Sequence, residues 1–157
     1  MPDWVIDIIK IVLPGLVIAL VTSIITVKLS LRRFYEEKWW EKKYQVYGQL
    51  FEALHHLKKY ALEHLDAVEM HQAIPEEKKK ELEKNWKRFS QEFEQLNDLA
   101  SFQLSTKAVA ILDDYEKKKK DAENSDNLYE WIDADAAATI ECLKKLTAEA
   151  KNDLKIK

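Results

Sequence analysis

Residues Ile11 to Val27 form seventeen consecutive uncharged positions in a chain that is 34% charged. A segment of this kind is stable in one of two places, the interior of a protein or the interior of a bilayer. The run IVLPGLVIALVTSIITV is slightly shorter than the roughly 20 residues that cross ~30 Å of hydrocarbon. Extended back to Val5, with Asp7 and Lys10 at the outer boundary where a lysine stem can snorkel, it gives a full span over about residues 5–27. The polar remainder holds no comparably apolar surface to enclose such a helix, so a buried core helix is the weaker alternative. A cleaved signal peptide fits less well. MPDWVIDIIK sets Asp3 and Asp7 against Lys10, and the exit VKLSLRRF has no A-x-A pattern. A transmembrane anchor over residues 1–33 is therefore expected.

The flanks give the anchor a direction. Lys28, Arg32, Arg33, Lys38, Lys42 and Lys43 follow the span and only Lys10 precedes it. The positive-inside rule then puts the C-terminal side in the cytoplasm, giving a single-pass, N-out, C-in protein. Trp4 and Phe34 sit thirty residues apart, roughly 45 Å of helix, which matches hydrocarbon plus both headgroup layers. With Arg32 and Arg33, each able to gain about 1 kcal/mol from anionic lipid, they are the expected headgroup contacts. Trp39 and Trp40 lie further along and are expected to seed the cytoplasmic part. Within the span, Gly15, Ala19 and Ser23 recur every four residues and share one face. Such a small-residue ridge lets two helix backbones approach closely, although small residues are also ordinary in membrane helices. Pro14 removes one backbone hydrogen bond from the outer turns.

From Lys28 onward the chain has 24 basic and 26 acidic residues. A near-neutral domain of this kind gives no nucleic-acid footprint. Gly48 and Pro75 are its only glycine and proline, and β-branched residues are scarce, which excludes most strand and hairpin architectures. The expectation for residues 34–157 is all-α, a cytoplasmic antiparallel four-helix bundle. Trp40, Tyr47, Leu54, Ala61 and Val68 repeat every seven residues with Tyr44, Phe51 and Leu65 interleaved, a seam for a first helix that ends before Pro75. Leu82, Trp86, Phe89, Phe93, Leu96 and Ala100 form the second stripe. Ser105 can cap a third helix with Ala108, Leu112 and Tyr115 facing inward. Ser125 or Asp126 can cap a fourth whose stripe is Ile132, Ala136, Leu143, Leu146 and Ala150.

Candidate chemistry is sparse. Glu52 and His55 make one Glu-x-x-His pair, but a di-iron bundle needs a second copy and two more inward carboxylates, and the last two helices contain no histidine. No metal or cofactor is expected. The single Cys142 has no disulfide partner and reads as a small core residue. Glycine-rich phosphate loops and nucleophile triads are absent, so an enzyme is not expected. Lys78, Lys79 and Lys80, with Lys117, Lys118, Lys119 and Lys120, are a candidate anion site at the membrane-distal end. The interleaved acids favour a solvated surface instead.

The segment LRRFYEEKWWEKK, the heptad helix with ALHHLKKY and the closing ECLKKLTAEAKNDLKIK resemble a group of small bacterial single-pass inner-membrane proteins with a cytosolic helical domain. The resemblance covers most of the chain and implies source and location. It brings no activity and no functional residues with it. The leading expectation is thus a non-enzymatic, membrane-anchored interaction module with the lipid bilayer and a protein partner, or a second copy, as its contacts. The alternative is an oligomerising membrane effector of a phage-defence or stress system, with a ligand-sensing bundle.

Overall fold

The computed structural model describes residues 3–125 and 127–156, with side chains from Gly15 onward. The described residues are all-helical, without strands: α1 (Asp3–Glu69), α2 (Glu76–Gln103), α3 (Thr106–Glu123) and α4 (Leu128–Asp153). Close contacts divide the chain into two compact units, Met1–Glu41 and Lys42–Lys157.

None of the described side chains of the first unit is buried. Every large hydrophobic side chain from Leu16 to Tyr35 is 49–67% exposed. A stretch of α1 is long and apolar enough to cross a membrane, and none of it is buried. The Thr26 hydroxyl donates back to the Thr22 carbonyl at 2.8 Å, the internal satisfaction of polar groups that an apolar medium demands.

The second unit is a helical bundle with two apolar clusters. The larger draws on all four helices: Tyr47, Leu50, Leu54 and Leu57 from α1, Phe89, Phe93 and Leu96 from α2, Leu112 and Tyr115 from α3, and Ala138, Cys142 and Leu146 from α4. The smaller joins Ala61, Leu62 and Leu65 of α1 to Trp131, Ile132 and Ala136 of α4. Between α1 and α2 the rings pair in steps: His56 stacks on Phe89 at 3.9 Å, and Tyr60 meets Trp86 at 5.6 Å. Between α2 and α3, Phe93 and Tyr115 meet edge to face at 5.2 Å, a geometry that complements the ring quadrupoles.

The helix ends follow local chemistry. α1 stops in a Schellman motif: the Gln72 amide donates to the Ala67 carbonyl at 2.9 Å, and His71 takes the left-handed conformation at φ 51°. Pro75 stands at the N-cap of α2, with Glu76 and Glu77 at the positive end of the dipole. Ser105 caps α3. At α4 the capping side chain is Asn127, which accepts from the Tyr129 amide at 3.0 Å. Ser125, two residues before that cap, instead bonds to Glu130 at 3.2 Å, and Asp126 lies outside the described residues.

The α1 seam needs a correction. Tyr47, Leu54 and Ala61 are buried, but Trp40, Tyr44 and Val68 are 45%, 55% and 40% exposed, while Leu50 and Leu57 are sealed. The interleaved positions follow the heptad residue by three, not by four, so the buried stripe lies on the other flank of the seam. Trp39 and Trp40 belong to the first unit and are 42% and 45% exposed. On α2 the expected stripe is buried except for Trp86, which is half-buried.

Phe93→Ala should cost about 3–5 kcal/mol, as expected for an emptied aromatic site. Trp40→Ala should cost less than about 1 kcal/mol, since exposed positions contribute little. Urea denaturation of the two variants checks this. Equal losses would show that Trp40 is part of the core.

Candidate functional site

Three groups of side chains can be assessed as sites. The first lies in the apolar part of α1. Gly15, Ala19 and Ser23 are exposed, and a Cβ added at Gly15 would meet nothing within 4 Å. The small-residue face is therefore open to a close neighbour. Of the expected headgroup contacts, Arg32, Arg33 and Phe34 are exposed, and Arg32 pairs with Glu36 at 2.9 Å. Trp4 lies within α1, and its side chain is outside the described ones.

The second group is the lysines, and carboxylates engage several of them. Lys78 pairs with Glu63 at 2.5 Å and Lys79 with Glu83 at 4.0 Å. Lys118 reaches Asp114 at 3.0 Å and Glu141 at 2.7 Å, and Lys145 closes the ring to the same two acids at 3.4 and 2.7 Å. In this ring the lysines are held more basic than usual, Lys118 foremost by its bond to Glu141 and Lys145 likewise. Glu141 and Asp114 are held more acidic, each foremost by its bond to Lys118. Lys119 and Lys120 line a cavity with Glu94, Glu116 and Glu123. Lys80 and Lys117 stand on the outer surface or close to it. An anion approaching either cluster meets carboxylates alongside the ammonium groups, which weakens the field.

Beneath the four-membered ring lies Cys142, 3% exposed, with its thiol pushed up to about 12 by burial. Such a thiol stays protonated near neutrality and packs as a hydrophobe. Glu52 and His55 are both exposed on the outer face of α1. Among the described residues no group of three or more His, Cys, Asp or Glu is arranged to hold a metal ion.

The third group has no counterpart in the sequence reading. Asp153, in the last turn of α4, accepts from Lys43 Nζ at 2.6 Å, from the Tyr47 hydroxyl at 3.1 Å and from the Ser105 amide at 3.2 Å. Ser105 Oγ in turn accepts from the Ala108 amide at 3.1 Å and donates to Glu149 at 2.8 Å. This clasp ties α1, the start of α3 and the end of α4. Tyr47 is 1% exposed, and burial, reinforced by Asp153, raises its hydroxyl well above the usual tyrosine range, so it serves as a fixed donor. One signal was available: a carboxylate at a helix C-terminus opposes the macrodipole and calls for a reason.

The stack of His56 on Phe89 is a pH-sensitive contact. Burial lowers the His56 pKa, with the charges of His55, Lys59 and Arg88 acting the same way and Glu52 opposing them. Arg88 also stands over the Phe89 ring at 4.9 Å. No family model, curated protein or solved structure matches this chain.

Two expectations follow. Asp153→Ala strands three donors, one of them on a buried tyrosine, and should cost about 2–4 kcal/mol in chemical denaturation. Lys151→Ala on the same turn should be nearly silent, and a silent Asp153→Ala would remove the clasp from the stability account. The lowered His56 pKa means that the unfolded state binds more protons below the ordinary histidine value near 6.5. Stability should therefore be fully present above that value and decline as pH falls through it. His56→Gln should flatten the decline in thermal midpoint between pH 7 and 5.

Proposed function

We propose that this chain is a non-enzymatic interaction module held at the cytoplasmic face of a bacterial inner membrane by one N-terminal transmembrane helix. The observation that carries the reading is the all-round exposure of large apolar side chains from Leu16 to Tyr35. In water that surface is a severe liability, whereas hydrocarbon solvates it. The basic flank from Lys28 to Lys43 supports an N-out, C-in orientation.

On this reading residues 42–157 form an antiparallel four-helix bundle. Contacts that step in opposite directions along paired helices support it: His56 with Phe89, then Tyr60 with Trp86, then Glu63 with Lys78. At the ends, Tyr47, near the start of the second unit, bonds to Asp153 late in α4, while Tyr129 at the start of α4 donates to Glu69 at the end of α1 at 3.2 Å. The bundle presents a mixed-charge surface to a protein partner or a second copy, with no nucleic acid, metal or cofactor in the proposal.

The second reading is an oligomerising membrane effector of a defence or stress system. The open face at Gly15, Ala19 and Ser23 favours it, because close backbone approach replaces hydrophobic drive between helices in lipid.

A fluorescent protein fused to the C-terminal end should be bright and alkaline phosphatase inactive. The reverse pattern would overturn the orientation and every cytoplasmic assignment with it. Gly15→Ile or Ala19→Ile should lower association in a membrane two-hybrid assay, while Val17→Ile, on a different face, should matter less. Equal behaviour of all three would reduce the ridge to ordinary membrane-helix composition. Under the effector reading Gly15→Ile should also abolish toxicity on overexpression.

A further inference from the structure

Among the described residues Asp135 is the only acidic or basic one in the buried interior, at 6% exposure. It stands on α4 between Ile132 and Ala136 of the smaller apolar cluster and Ala138 and Cys142 of the larger one. Its Oδ1 has no hydrogen-bond partner. A buried carboxylate oxygen without a donor is costly to keep charged, whereas a neutral carboxyl is far cheaper.

The surroundings offer incomplete compensation. From α3, Lys119 attracts the carboxylate, Glu123 repels it, and the Tyr115 hydroxyl lies within electrostatic reach, 3.3 Å from Thr139 Oγ1. From α1, Tyr60 lies within electrostatic reach, and the only α2 charge acting on that tyrosine is Glu83. Within α4, Thr139 donates to the Asp135 carbonyl at 2.8 Å and not to its carboxylate. Burial outweighs Lys119, so the carboxyl holds its proton above the ordinary aspartate range.

We propose that Asp135 is a proton-operated latch between the two apolar clusters. With the carboxyl neutral, the α4 turn from Ile132 to Ala136 stays seated on Ala61 and Leu65 of α1. With the proton released to solvent, the carboxylate is stabilised only by admitting water or by drawing Lys119 inward, and either requires that turn to move. The smaller cluster has few residues to resist the movement, and the larger one holds the rest of the bundle. The folded carboxyl binds its proton more tightly than the unfolded one, so the contribution of this site falls as pH rises past the ordinary aspartate value near 3.9.

The test is backbone amide exchange of the full chain in lipid nanodiscs at one pH below and one pH above the midpoint of the Asp135 carboxyl, corrected for the intrinsic rate. Opening around residues 61–69 and 128–138 should rise severalfold at the higher pH while residues 89–115 stay protected. Asp135→Asn, isosteric and unable to ionise, should keep both regions at the low-pH level. The same rise in Asp135→Asn, or an equal rise in all four helices, would overturn the latch. An independent titration of the Asp135 carboxyl carbon by NMR in the unmodified chain should give a midpoint above the ordinary aspartate value. A midpoint at or below that value would overturn the proposal whatever the variant does.

Discussion

The bundle depends on the small inward face of α4. Ala136, Ala138, Thr139, Cys142 and Ala150 are all buried there, with Leu146 and Ile132 the only bulky members among its buried residues. A face of that kind brings its backbone close to its neighbours and leaves volume for Tyr47, Phe93, Leu112 and Tyr115 from the other helices. Close packing then follows from large side chains filling the space that small ones vacate. The same closeness sets the position of the ion-pair ring over Cys142 and of the clasp at Asp153, because short side chains let α3 and α1 come within reach of α4.

Polar groups in this structure sort by depth. At the surface, Lys118, Lys145, Asp114 and Glu141 exchange partners in a ring that water and salt can screen. Half-buried, Asp153 collects three donors and leaves none of them stranded. Fully buried, Asp135 lacks a donor at one oxygen.

Much of the second unit was legible from residue spacing because its stripes are built from large apolar residues. Leu82, Phe89, Phe93, Leu96 and Ala100 on α2, and Ala108, Leu112 and Tyr115 on α3, are buried as their periodicity predicts. Ser105 likewise caps where a serine should. The α1 register was misjudged because Trp40 and Tyr44 continue the heptad spacing although both remain about half exposed. On α4, Asp135 and Thr139 were invisible to a hydrophobic pattern although both are buried. Cys142 was recognised as core by its size. The clasp joins positions more than a hundred residues apart, and no local rule reaches that far. In the candidate sites, the Glu52 and His55 pair reads as a ligand motif by spacing, yet the helix turns it outward.

The clasp at Asp153 has a mechanical reading. Lys43 and Tyr47 lie within the first two turns of the second unit, and Asp153 lies in the final turn of its last helix. Both ends of the fold are thus fastened through one carboxylate, as a strap is fastened by one buckle. Tension entering along α1 at Lys42 and tension applied to the end of α4 converge on the same few atoms. That corner would yield before the apolar interior does, because hydrogen bonds and ion pairs are short-ranged and fail over a small displacement, whereas buried apolar area is lost gradually.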